Sequence, residues 1–141
     1  MKEYFSYSEA DTMKIAQEIC SNIPRGTVVA FSGGMGMGKT AFVRGAIKAF
    51  GNESFVSSPT FSLVHEYSGD PAIYHFDMYR VQDLDDLYST GFFDYLDNDS
   101  ILFIEWSENI TDALPENTVY VDIKLGDEAE HRIITVRGGD F

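Results

Sequence analysis

The stretch Val28-Val29-Ala30-Phe31-Ser32-Gly33-Gly34-Met35-Gly36-Met37-Gly38-Lys39-Thr40 decides how this chain is read. Residues 33–40 satisfy G-x-x-x-x-G-K-[ST] at every fixed position. The apolar run 28–31 stands ahead of them, and Ala41-Phe42-Val43-Arg44-Gly45-Ala46-Ile47 follows with helical spacing. Strand, glycine loop, helix is the context a phosphate-binding loop requires. The glycines let the backbone curl around an anion so that successive N–H groups point inward. The helix beginning near Gly38 adds its positive N-terminal end. In such a loop Lys39 reaches the β- and γ-phosphates and the Thr40 hydroxyl binds Mg²⁺.

Working outward, Ser8 is a suitable N-cap, with Asp11 three residues on as a weaker form of the capping box. Met13, Ala16, Cys20 and Ile23 recur at helical spacing, widened by Ile15 and Ile19, and predict a helix over 9–22 behind a short strand at 3–7. Pro24-Arg25-Gly26 ends that helix and opens a strand over 27–32. After a helix over 39–50, Gly51 serves as C-cap. Residues 61–67 and 72–78 read as strands around the turn Ser68-Gly69-Asp70-Pro71. A short acidic helix covers 83–90, with a turn at Gly91 and another helical turn to Tyr95. Ile101-Leu102-Phe103-Ile104 is the continuous apolar run of a strand buried on both faces. Residues 118–125 and 131–137 alternate, and Gly126-Asp127 can join them as a hairpin. The expected fold is α/β: a P-loop NTPase-like sandwich, its central sheet mostly parallel, with antiparallel strands and a C-terminal hairpin, in one domain over 1–141.

Composition narrows the function. Hydrophobic residues at 44% and charged residues at 23% are ordinary for a water-soluble globular protein. No apolar stretch approaches a membrane span, and no signal-peptide core follows Met1-Lys2-Glu3-Tyr4. Cys20 is the only cysteine, which fits a reducing compartment; a cytoplasmic location is expected. The net charge of −13 is uneven: residues 1–53 carry six Lys/Arg against five Asp/Glu, and residues 54–141 carry four against eighteen. No basic cluster suits direct binding to a nucleic-acid backbone. The acidic half is either a solvated surface or a face for a basic protein partner.

A phosphate loop needs a second metal anchor and a group to position water. Glu105 follows the buried run 101–104, at a strand's carboxyl end where ligands lie in such sheets. It resembles a Walker-B position with Glu for Asp, the alternative being the first exposed residue after a strand. Asp77 and Arg80, in His75-Phe76-Asp77-Met78-Tyr79-Arg80, offer a carboxylate for metal-bound or attacking water and a cation for it or for phosphate. His75 shares Asp77's face, although a lone histidine is more often a satisfied structural residue. Thr60, in Ser57-Ser58-Pro59-Thr60, can offer oxygen to Mg²⁺ or a γ-phosphate; a Pro-containing turn is the alternative.

Taken in order, G-x-x-G-x-G-K-T, S-P-T-F (58–61), Y-H-F-D-M-Y-R (74–80) and I-E-W (104–106) resemble the bacterial TsaE family of P-loop ATPases. Its members take part in making N6-threonylcarbamoyladenosine at position 37 of tRNAs. The resemblance spans nearly the whole chain. It implies an ATP-hydrolysing accessory protein acting with two partner subunits, TsaB and TsaD, of which TsaD carries out transfer to tRNA. It implies that Lys39 and the loop residues Gly33, Gly34, Met35, Gly36, Met37 and Gly38 hold phosphates of ATP. By the same resemblance Thr40 and Glu105 bind Mg²⁺, Asp77 is a functional carboxylate, and Glu9, Thr12 and Arg132 match positions near the base. The family usually has an acidic residue and then Leu after the first loop glycine, where this chain has Gly34 and Met35, and Met37 replaces a small residue. The rival reading is a small P-loop kinase acting on a metabolite. Such enzymes use basic residues around the acceptor, and residues 81–123 contain no Lys or Arg.

Overall fold

The computed structural model describes residues 1–32, 38–51, 64–67, 71–78, 81, 83–89, 91–96, 99–105, 107–139 and 141. Strand β1 (Lys2–Ser6) leads into helix α1 (Glu9–Cys20). Ser8 caps α1 by accepting from the Asp11 N–H at 3.1 Å, and Asp11 Oδ2 accepts in return from the Tyr7 N–H at 3.1 Å. The reciprocal pair is thus a capping box reaching back one residue further than usual. Strand β2 (Val28–Ser32) precedes the glycine loop, and α2 (Lys39–Ala49) follows it. Then come β3 (Val64–Tyr67), β4 (Ile73–Asp77), the short α3 (Leu84–Ser89) and a 3₁₀ turn at Phe92–Tyr95. Strand β5 (Ile101–Glu105) runs into a second 3₁₀ segment, Ser107–Ala113, and β6 (Val119–Leu125) and β7 (Arg132–Arg137) close the sequence of elements.

The seven strands among the described residues form one sheet in the order β1-β7-β6-β2-β5-β4-β3. The central four, β6, β2, β5 and β4, run parallel, while β1, β7 and β3 pair antiparallel to their neighbours. Helices α1 and α2 cover one face. Phe42 of α2 stands edge-on to Phe31 of β2 at 5.3 Å, and Phe31 stacks on Phe103 of β5 at 6.0 Å. All three rings are fully buried, each contributing roughly 1.5–3 kcal/mol by area; together they fix α2 over the middle of the sheet. The opposite face of β2, β5 and β4 is covered by a second core, with Phe76, Met78, Leu87, Phe92, Leu102, Ile104 and Ile110. Two covered faces explain why β5 is apolar without alternation.

The opposite face of β6 and β7 has no such cover among the described residues. There Tyr120, Asp122, Lys124, Thr135 and Arg137 line an open cavity of about 420 Å³, which is why these strands alternate and β5 does not. Helices α1 and α2 cross closely at Gly45, where an added Cβ would lie 2.3 Å from the Met13 carbonyl oxygen. Among the described residues no helix is long and apolar enough to cross a membrane.

The expected β6–β7 hairpin forms, and its connection is a six-residue loop, 126–131, that begins with Gly126-Asp127. Its mouth is closed by the Gly126 N–H to the His131 carbonyl (2.8 Å), and Arg132 Nη1 donates to the Ala129 and His131 carbonyls at 2.7 and 2.8 Å. Those bonds satisfy carbonyls that a two-residue turn would have returned to the ladder. The 3₁₀ segment after β5 is an element the expected fold lacks; Ile110, Ala113 and Leu114, at i, i+3 and i+4, turn its apolar side to the second core. Residues 61–63 of the expected strand and the turn 68–70 lie outside the described residues.

Candidate functional site

The site is built where β2 hands over to α2. Gly38 takes a left-handed backbone, φ +104°, with no side-chain cap, and the Phe42 N–H makes a helical bond to its carbonyl at 3.0 Å. A residue with a Cβ is strained at that φ. A helix that starts on a glycine directs backbone N–H groups and the positive end of its dipole toward whatever lies ahead of it. Lys39, the first residue of α2, is 5% exposed, and Thr40 is half-buried. A lysine is rarely this buried unless it is paired.

The carboxylates come from the sheet. Asp77 ends β4 and Glu105 ends β5, and the two are register partners on adjacent parallel strands. The Met78 N–H extends the ladder with a 3.0 Å bond to the Glu105 carbonyl, fixing the two strand ends together. Strand alternation puts Asp77 and Glu105 on the face of Ile73, Ile101 and Phe103, which belong to the core under α1 and α2. Both acids therefore sit at the carboxyl edge of the sheet, on the side that carries the loop helix. This is a hard-oxygen donor set, and it fits Mg²⁺, which takes one or two carboxylates and shares the rest of its shell with water and phosphate. Among the described residues no group of three His, Cys, Asp or Glu side chains forms a protein cage for a metal.

His75 lies two residues before Asp77 and is fully buried. Its Nε2 is 2.7 Å from Oε2 of Glu105, whose side chain is 12% exposed. Its Nδ1 is buried with no partner among the described residues. The histidine is thus hydrogen-bonded through one ring nitrogen, while the other has no partner among the described residues. Its place in the sheet was legible in the sequence: His75 shares Asp77's face, one pleat deeper.

Glu9, Thr12 and Arg132 gather at another corner of the same sheet edge. Thr12 is buried, its Oγ1 2.7 Å from Ser6 Oγ, and Ser6 is the register partner of Arg132. Glu9 accepts from Arg44 Nη1 at 2.7 Å, tying the start of α1 to the second turn of α2. Ser6, which carries no motif, joins this corner. The remaining loop positions Gly33, Gly34, Met35, Gly36 and Met37, together with Thr60 and Arg80, lie outside the described residues. Cys20, within the helix-covered core, has its thiol pushed up to about 12 by burial and has no chemistry to offer.

The family model for "Threonylcarbamoyl adenosine biosynthesis protein TsaE" matches residues 6–134. Among curated proteins, the chain is 42% identical over 105 residues to the tRNA threonylcarbamoyladenosine biosynthesis protein TsaE of Haemophilus influenzae, covering 74% of this chain and 66% of that protein. The protein of the same name from Rickettsia typhi is 35% identical over 136 residues, covering 95% and 93%. That of Aquifex aeolicus is 36% identical over 138 residues, covering 94% of each. Among solved structures, the crystal structure of YdiB from Bacillus subtilis matches with a TM-score of 0.77 at 25% identity, over 97% of this chain and 84% of that one. The sheet order and this likeness make the fold a P-loop NTPase-like α/β sandwich.

Proposed function

This chain belongs to the TsaE family of threonylcarbamoyl adenosine biosynthesis proteins, and from that premise we propose that it is a Mg²⁺-dependent ATPase serving tRNA threonylcarbamoyladenosine formation together with TsaB and TsaD. The observation that carries this reading is the meeting of two features at one edge of the sheet. Gly38, Lys39 and Thr40 open α2 there, and Asp77 and Glu105 end adjacent strands on the α2 face. Lys39 and the loop backbone bind the phosphates of ATP, and Thr40 and Glu105 are the residues that hold Mg²⁺. Bound Mg²⁺ supplies charge neutralisation on the phosphate oxygens. Asp77 orients the attacking water by accepting its proton in a hydrogen bond. Thr60 and Arg80 complete the shell around the γ-phosphate, and Glu9, Thr12 and Arg132 form the corner nearest the base. The acidic half of the chain favours a protein partner over direct contact with the tRNA backbone.

ATP turnover measured with and without Mg²⁺, and with and without TsaB–TsaD, tests the proposal. Mg²⁺-dependent phosphate release, raised by the partner pair and with no phosphorylated acceptor, is the expected result. Lys39→Ala removes charge-assisted hydrogen bonds of roughly 1.5–3 kcal/mol each and weakens ATP binding about tenfold or more. Unchanged ATP affinity by calorimetry in Lys39→Ala overturns the assignment.

A further inference from the structure

Glutamate at a strand end has three rotatable bonds, so its register alone does not say where its carboxylate points. In this chain His75 says it. The imidazole is 0% exposed and sits on β4 between His65 of β3 and Phe103 of β5, in a layer with Ile73 and Ile101. Its Nε2 is 2.7 Å from Oε2 of Glu105. An ionised carboxylate only accepts, so Nε2 carries the proton of that bond. A proton on Nδ1 would be a buried donor with nothing among the described residues to receive it, so these surroundings stabilise the Nε2–H tautomer. An apolar side chain would fill the same space without an unpaired nitrogen. What the imidazole adds is the N–H it aims at Glu105.

We propose that His75 is a positioning residue of the Mg²⁺ site: its Nε2–H occupies Oε2 of Glu105, so that Glu105 meets the cation through Oε1 alone. This rests on the reading of Glu105 as a metal-site carboxylate. Among the described residues Oε1 has no other partner. A ligating carboxylate held by a buried donor keeps one rotamer and one free oxygen, and loss of such a supporting partner typically lowers metal affinity 10–100-fold.

The test uses the whole chain and two probes, ADP and Mn²⁺ as a spectroscopic substitute for Mg²⁺. His75→Leu removes the donor, His75→Gln returns an N–H at similar reach, and Glu105→Ala is the reference. ADP affinity in EDTA, by calorimetry, stays within about twofold of wild type in all three. The Mn²⁺ concentration that half-saturates the ADP complex, read by electron paramagnetic resonance, rises about tenfold or more in His75→Leu. In His75→Gln it returns to within about threefold of wild type. A purely structural histidine would change the urea midpoint and leave the Mn²⁺ titration alone. Wild-type Mn²⁺ affinity in His75→Leu, with loss in Glu105→Ala, overturns the proposal and leaves the metal-site reading standing. Equal losses in the Leu and Gln variants also overturn it, because packing rather than the donor would then be at work. Wild-type Mn²⁺ affinity in Glu105→Ala overturns the metal-site reading and this proposal with it. If His75→Leu does not fold, His75→Phe, which keeps a planar ring without a donor, takes its place in the comparison.

Discussion

Gly45→Ala sets two effects of opposite sign against each other. In an isolated helix the change would stabilise by up to ~1 kcal/mol, because alanine is the better helix former. In this fold the new Cβ would lie 2.3 Å from the Met13 carbonyl oxygen and 2.7 Å from Met13 Cα. The obstacle is backbone, so no rotamer change relieves it. Ordinary contact begins at 3.4 Å, so α1 and α2 must part by about 1 Å. That separation loosens the buried layer of Ala16, Phe42, Val43 and Ala46 between the helices and the sheet, and overpacking of this kind costs ~1–3 kcal/mol or more. The clash outweighs the propensity gain, and the net expectation is a loss of ~1–2 kcal/mol. Urea unfolding should show a lower midpoint at unchanged slope, and the melting temperature should fall by roughly 3–6 °C. Lys48→Ala, at an exposed position of α2, should move stability by no more than ~0.5 kcal/mol. A Gly45→Ala protein as stable as wild type, or more so, would mean that the helices do not meet at this point.

Two further outcomes follow from the site and the core. Asp77→Ala and Glu105→Ala should each lose ATP hydrolysis while keeping the fold and much of the nucleotide binding; wild-type turnover in both would reduce the carboxylates to strand-end surface charge. The Cys20 thiol, raised from 9.0 to about 12 by burial, keeps its proton in the folded state after the unfolded chain has lost it. Stability should therefore fall as pH rises above about 9, by up to ~1.4 kcal/mol per pH unit from this group alone. The difference in urea midpoint between wild type and Cys20→Ala, followed from pH 8 upward, should shrink accordingly, and a difference that is constant with pH refutes it.

The elements with a strong period or a definite cap were readable from residues alone. Ser8 and Asp11 mark the start of α1, the glycine motif places β2 and α2, and the unbroken apolar run 101–104 marks a strand covered on both sides. Alternation in β6 and β7 likewise foretold one wet face. The closure of the loop 126–131 was not readable, because it depends on Arg132 reaching back to two carbonyls, a contact between a long side chain and backbone that no local propensity encodes. The places of Asp77 and Glu105 at the ends of strands were readable, and the structure makes them register partners. The contact between His75 and Glu105 was not readable, because it exists only when β4 and β5 are neighbours in one particular register. Ser6, beside Thr12 and Arg132, is a second case: a serine in a strand is unremarkable until the antiparallel partner is known.

The 3.0 Å bond from the Met78 N–H to the Glu105 carbonyl has a mechanical meaning. It splices β4 and β5 one step beyond their last paired residues, so the two acids share a common base plate and cannot drift apart independently. Any adjustment that brings the acids and the start of α2 closer must then come from the helix side, where α2 is attached to the sheet by rings rather than by a ladder. Chain length in these strands becomes a tolerance of the machine. Deleting or inserting a single residue between His75 and Asp77 would turn one acid toward the second core while its neighbour stayed in place. The pair would be broken with both carboxylates still present.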